Sequence, residues 1–346
     1  MKLKINYKGI GVLVGGLIGV LFSTASLHAQ DPHYSQFYSS PMTLNPAQTG
    51  LFPGEVRIAS TYRNQWRTVA TPFTTATVAM DFQLLNGKLK NNDVFGLGFM
   101  GMIDESNNHG LKANYVSVAT AYNKSLDLEG YHKIGVGFQG TLATKKVDYS
   151  RFVFSQQFTP FGFDPTLPNG EPIAGFALNY FDLGAGILYS GMNADEQQWY
   201  IGGSYYHINR PNEAISTEEN RLQPRISAHG GFNFPVGELN RVYFSGLYMN
   251  SAITQELTFG AVLESTIRSN EYETSLFTGL YYRRNDAFVP YIGITNGKMQ
   301  LGLSYDVNVS SLKTATQSRG GFEMSLQMNL SRNPDANKIP KCYNKF

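Results

Sequence analysis

Arg63 and Arg67 stand on the polar side of the first alternating segment of this chain. Asp81, Asp182, Glu256, Glu264 and Glu323 stand on the polar sides of later ones. These seven side chains are where strong electrostatics is available. A guanidinium removed from water without a partner is costly, so arginines that face an enclosed space need carboxylates. The pattern predicts a charged lumen network that pins another part of the chain; hydrated charges along an open pore are the alternative. Other chemistry is sparse. The histidines, His28, His33, His109, His132, His207 and His229, are scattered without metal-site spacing. There is no Gly-rich phosphate loop, nucleophile elbow or HExxH motif. No catalysis, metal or cofactor is expected, although Asp–His pairs assembled in space would keep a hydrolase as a third class. A net charge of +2 gives no reason to expect nucleic acid. The single cysteine, Cys342, allows no internal disulfide.

The elements that must position these charges are strands. Met299, Leu301, Leu303, Tyr305, Val307 and Val309 alternate with Lys298, Gln300, Gly302, Ser304, Asp306 and Asn308. Phe322, Met324, Leu326, Met328 and Leu330 do the same against Glu323, Ser325, Gln327 and Asn329. Successive strand side chains point to opposite faces, so each segment has one apolar and one polar face. The alternation begins at Glu55 and recurs along the chain, which predicts an all-β, antiparallel transmembrane barrel of about fourteen strands over residues 55–330. An even count puts both termini on the periplasmic side. The connections at 145–178, 209–224 and 310–320 are then all extracellular, and they are the longest. The inward turns, such as 236–240 and Asn296-Gly297, are short.

Residues 30–54 lack alternation and carry Pro32, Pro41, Pro46 and Pro53; they are expected to pack inside or beneath the barrel. Gly96, Gly98, Gly135, Gly137, Gly184 and Gly186 fall on inward faces. Strand curvature is the favoured reason for them, and lumen space for a plug is the other. Trp66 falls at the outward end of its strand, as an aromatic-belt residue should. Residues 1–29 read as a secretory signal, with Lys2, Lys4 and Lys8 ahead of the apolar run Ile10–Phe22 and small residues up to Ala29. No later run is long and apolar enough for a membrane helix. Residues 331–346 form a C-terminal tail. In the longest outer loop, Phe158, Phe161, Phe163 and Pro165 make an irregular, apolar surface that suggests a protein contact or a lumen plug.

The N-terminal segment reads Gln30-Asp31-Pro32-His33-Tyr34-Ser35-Gln36-Phe37-Tyr38, then Pro41 and Leu44-Asn45-Pro46-Ala47. Tyr62-Arg63-Asn64-Gln65-Trp66 follows, then Phe73-Thr74-Thr75 and Asp81. Ile201 to His207, Gly302-Leu303-Ser304-Tyr305-Asp306 and Gly320-Gly321-Phe322-Glu323 complete an ordered set. This set resembles the PorP/SprF family of type IX secretion system membrane proteins, over nearly the whole chain beyond the signal. Asn45, Pro46 and the block Tyr62, Arg63, Asn64, Gln65 and Trp66 carry most of the likeness. The resemblance implies an outer-membrane barrel, seated in lipid, that works with a secretion apparatus. Its implied partners are periplasmic ring or motor lipoproteins and a secreted, adhesin-like cargo with a dedicated C-terminal domain. The tail departs from the family pattern, since Cys342 is followed by Tyr343 rather than by proline. A passive porin-like channel is the alternative function.

Overall fold

A computed structural model of the chain describes residues 31–331, apart from 68–70, 86, 90, 172–174, 215–219, 252–253, 269–272 and 312. The segment expected to be a signal, residues 1–29, Cys342 and the tail from 332 onward lie outside the described residues.

The alternating segments form strands, because β-branched and aromatic residues fit a pleated wall with one face on lipid and one on the lumen. In chain order they are β1 (Val56–Gln65), β2 (Phe73–Leu84), β3 (Val94–Ser106), β4 (Leu111–Ser125) and β5 (His132–Asp148). A small hairpin follows, β6 (Phe158–Thr159) and β7 (Gly162–Phe163). Then come β8 (Gly175–Met192), β9 (Gln198–Tyr206), β10 (Arg225–Val236), β11 (Asn240–Ser251) and β12 (Thr254–Arg268). The last are β13 (Glu273–Arg283), β14 (Ala287–Asn296), β15 (Met299–Asn308) and β16 (Arg319–Leu330). With the hairpin set aside, the others pair in sequence order as a closed antiparallel barrel. β1 closes it, with Val56 opposite Phe82 of β2 and Leu330 of β16. Closure leaves no sheet edge at membrane depth.

The outward face is apolar and uncovered by protein: Val116, Phe138, Leu142, Ile187 and Ile201 are each more than 60% exposed. A band this apolar is stable only against lipid. The two ends of the strand set, Val56 and Leu330, share one rim. The long connections 149–174, 207–224 and 309–318 all open on the other rim. The rule for these barrels puts the long loops outside and the short turns in the periplasm. The turn between β14 and β15 is only Gly297 and Lys298, with Gly297 at φ +59°. β5 and β8, at 17 and 18 residues, exceed the roughly ten that a tilted strand needs to cross the bilayer, so they rise above the outer rim.

Candidate functional site: a pinned lumen and an exposed crown

Residues 32–54 run down the inside of the barrel. They are short turns rather than a helix: a 3-10 turn at Phe37–Ser39, one helical turn at Pro41–Leu44 and a 3-10 turn at Pro46–Gln48. The prolines start two of these turns, where a missing N–H costs nothing. Most of the segment is buried, and Met42, Ala47, Phe52, Asn45 and Thr49 are fully so.

The upper end of this plug is held by an ion-pair cluster. Arg63 of β1 donates to Asp306 at 2.8 Å and to Glu323 at 2.9 Å. Arg283 of β13 donates to the same Asp306 at 2.6 Å and to Asp286 at 2.7 Å. Ser35 of the plug sits in the middle. Its hydroxyl accepts from Arg63 at 2.6 Å and from Arg283 at 2.9 Å, and donates to Asp306 at 2.8 Å. The N–H groups of Ser35 and Gln36 both donate to Glu323 at 2.8 Å. Arg63, Asp306 and Glu323 are almost wholly buried. Charges this deep are tolerable only because each lone pair and proton finds a partner, several of them from the plug. Nearby, His33 lies 3.0 Å from Glu256, and the Tyr34 phenol bonds Thr77. Burial pushes the Tyr34 and Tyr38 phenols well above the ordinary tyrosine range, so both stay neutral.

Below this cluster the plug packs on apolar wall residues and then on a second ion pair. Phe37 and Tyr38 pack with Tyr281, Tyr291 and Val289. Asn45 places its amide nitrogen 2.9 Å from the Ile187 carbonyl and 3.0 Å from His229 Nε2. The Ser204 hydroxyl donates to the Leu44 carbonyl at 2.7 Å, and the Tyr206 hydroxyl to that of Met42 at 2.9 Å. At the periplasmic end Arg57 grips Asp81 through two bonds, at 2.9 and 2.8 Å. Asp81 also accepts from the Gly50 N–H at 2.7 Å, and Arg57 donates to the Gln48 carbonyl at 3.1 Å.

The inward glycines divide by what faces them. A Cβ on Gly96 would lie 2.2 Å from the Thr49 carbonyl oxygen, and one on Gly137 would lie 2.4 Å from the Ala47 nitrogen. Gly98 and Gly186 face Met42 and Asn45 in the same way, whereas Gly135 and Gly184 face Asn123 and Tyr206 of neighbouring strands. Close approach of the plug, by its backbone at Gly96 and Gly137 and by its side chains at Gly98 and Gly186, therefore accounts for four of the six.

The seven charged positions singled out by alternation do not form one network. Glu323 alone of the five carboxylates meets Arg63. Asp81 serves Arg57, Asp182 lies 3.0 Å from His207, Glu256 meets His33, and Glu264 accepts from the Tyr243 phenol at 2.5 Å. Arg67 is a correction. Trp66, at φ +58°, ends β1, so the two-residue parity stops there and Arg67 lies exposed in the turn beyond. Trp66 stays at the outer rim and packs edge-on against Phe73 at 5.2 Å. Tyr62 faces outward, Asn64 bonds Thr74 at 2.9 Å, and Gln65 lies against the Arg63 guanidinium. Asn45 and Pro46 sit in the plug. Arg57, Asp306, Arg283 and Ser35 join the site beyond the seven charges that alternation singles out. Two-residue parity puts Arg57 on the same polar face of β1 as Arg63, and Asp306 on that of β15, which is the available signal.

Above the rim, the loop after β5 carries the hairpin β6–β7. Phe158 packs on Phe163 at 5.6 Å, yet Phe161 is entirely exposed and Phe158 is 60% exposed. Pro165 is exposed too. At the base of this loop, Asn107 of the turn between β3 and β4 donates to the Arg151 carbonyl at 3.3 Å. Asp164 closes a turn by accepting from the Thr166 hydroxyl and N–H, and those bonds hold its carboxyl below the ordinary aspartate range.

Among solved structures, the toluene transporter TodX of Pseudomonas putida is similar at 8% identity, with 86% of this chain and 93% of that one covered and a TM-score of 0.48. A FadL homologue of Pseudomonas aeruginosa is similar at 10% identity, with 88% and 95% covered and a TM-score of 0.46. Omp33 of Acinetobacter baumannii gives 5%, 81%, 100% and 0.39. At such identities the likeness is one of fold. No curated protein matches the chain. A family model described as type IX secretion system membrane protein PorP/SprF matches residues 26–328, nearly the whole of the barrel and its plug. With its closed fourteen-strand wall and lipid-facing apolar band, this outer-membrane chain belongs to the PorP/SprF family.

Proposed function

We propose that this barrel is a docking component of type IX secretion rather than a passive channel. In this reading the outer loops hold a secreted, adhesin-like protein, and the short periplasmic turns meet lipoproteins of the secretion ring or motor. The observation that carries it is the division of labour between lumen and loop. The lumen is occupied by residues 32–54, which are bonded at both ends to buried ion pairs. The outer loop instead spends apolar surface on solvent, with Phe161 fully exposed. A pore that conducts needs a hydrated path, whereas a platform needs a rigid wall and an adhesive crown.

Deleting residues 152–171 should remove the hairpin without touching a barrel strand. The expected result is loss of export or surface retention of the cargo, with heat-modifiable mobility of the barrel retained. Unchanged export would overturn the docking reading. A crosslinker placed at Phe161 in native outer membranes should capture the secreted protein in the intact chain.

A further inference from the structure

Among the described residues, the longest free edge of the barrel wall is that of upper β8, and it lies above the membrane. β8 pairs with β5 over its full length, from Gly175 opposite Asp148 to Gly191 opposite His132. It pairs with β9 only from Gly184, opposite Tyr206, downward. β3, β4, β5 and β8 thus rise together as a sheet, and β9, with 9 residues, stops short. The turn after β9 caps the lowest part of the exposed edge. Ile208 N–H donates to the Leu183 carbonyl and Leu183 N–H to the Asn209 side chain, both at 3.0 Å, and Asn209 donates to the Phe181 carbonyl at 2.6 Å. These bonds also fix the phase of the strand, since N–H and C=O groups alternate sides along it. The main-chain groups of Ala177 and Asn179 and the N–H of Phe181 therefore point away from β5. Among the described residues, no strand pairs with them.

Natural edge strands are usually blunted by lysine, proline, a bulge or brevity. Residues 175–183 read Gly-Phe-Ala-Leu-Asn-Tyr-Phe-Asp-Leu, with neither lysine nor proline. The charges on the outward face of the same sheet show what would complete it. Glu105, Lys112, Lys146 and Ala177 lie side by side across four strands. Glu105 neutralises Lys112 at 2.6 Å. Lys146 is exposed, and among the described residues no carboxylate pairs with it. Ala177, next in the row, is too short to cover it.

We infer that the upper edge of β8 accepts an extended segment of the secreted partner as an added strand, with an acidic residue placed across Ala177 to face Lys146. This rests on the docking reading and gives it a form. Main-chain bonds to residues 177–181 would supply affinity, and the acidic position would supply register.

The test uses the full chain in its native outer membrane. A photoreactive benzoylphenylalanine replaces Ala177, Asn179, Phe181 or, separately, Phe161, and adduct positions are mapped by mass spectrometry. The inference expects the three strand positions to crosslink to one partner segment at sites two residues apart, in a single direction. With the probe at Asn179, Ala177→Pro removes an edge N–H without touching the β5 ladder and should lower the yield about tenfold. Ala177→Val should leave it nearly unchanged, and Lys146→Glu should lower it about threefold. Adducts at Phe161 with none at 177–181 would overturn the added strand and leave the docking reading standing. Adducts to this chain, or to scattered partner sites, would also overturn it. No adduct at any of the four positions would remove the docking reading itself.

Discussion

Asp306 is where the plug and the wall depend on each other most. It accepts from Arg63, Arg283 and the plug's Ser35. Removing it takes the shared carboxylate from two buried guanidiniums, leaving Arg63 with Glu323 and Arg283 with Asp286, a loss of the kind that costs about 3–5 kcal/mol. Asp306→Ala should therefore free the upper plug while the barrel, held by its own ladders, survives. Hydrogen exchange at the amides of residues 34–38 should speed up about a hundredfold or more, in proportion to that cost. Asp286→Ala, at a partly exposed carboxylate on the other side of Arg283, should have a much smaller effect. Equal exchange in Asp306→Ala and the parent protein would mean that apolar packing alone holds the plug.

The strands and the plug meet as elements through glycine. At Gly137 a new Cβ would strike the backbone at Pro46 and Ala47, which cannot rotate away. Gly137→Val should lift the middle of the plug and raise exchange at residues 45–50, at a cost of about 1–3 kcal/mol. Gly101→Ala, where the space is open, should do nothing measurable. The strands themselves were legible in the sequence, because a wall with lipid on one side and a lumen on the other imposes a period of two on every segment. Loop lengths then agree with the parity that the even strand count sets. The charge pairing was not legible. Arg63 meets Asp306 and Glu323 across 243 and 260 residues, and only barrel closure decides which polar faces adjoin. Arg67 was misplaced because parity was carried one turn past the end of β1. The cause of the inward glycines is not legible locally, because the atoms that crowd four of them come from the plug, a distant segment.

At the scale of the whole molecule, an apolar band faces lipid, a filled lumen lies within it, and a taller sheet with exposed aromatics stands on the outer rim. In the docking reading proposed above, that arrangement puts recognition on the rim and closes the path through the middle. The most direct measurement is single-channel recording of the purified full chain in planar bilayers, beside a variant that lacks residues 32–50. The account predicts no stepwise conductance from the full chain and clear steps from the variant. Steady ion current through the full chain at the level of the variant would contradict it and make the channel reading the better one.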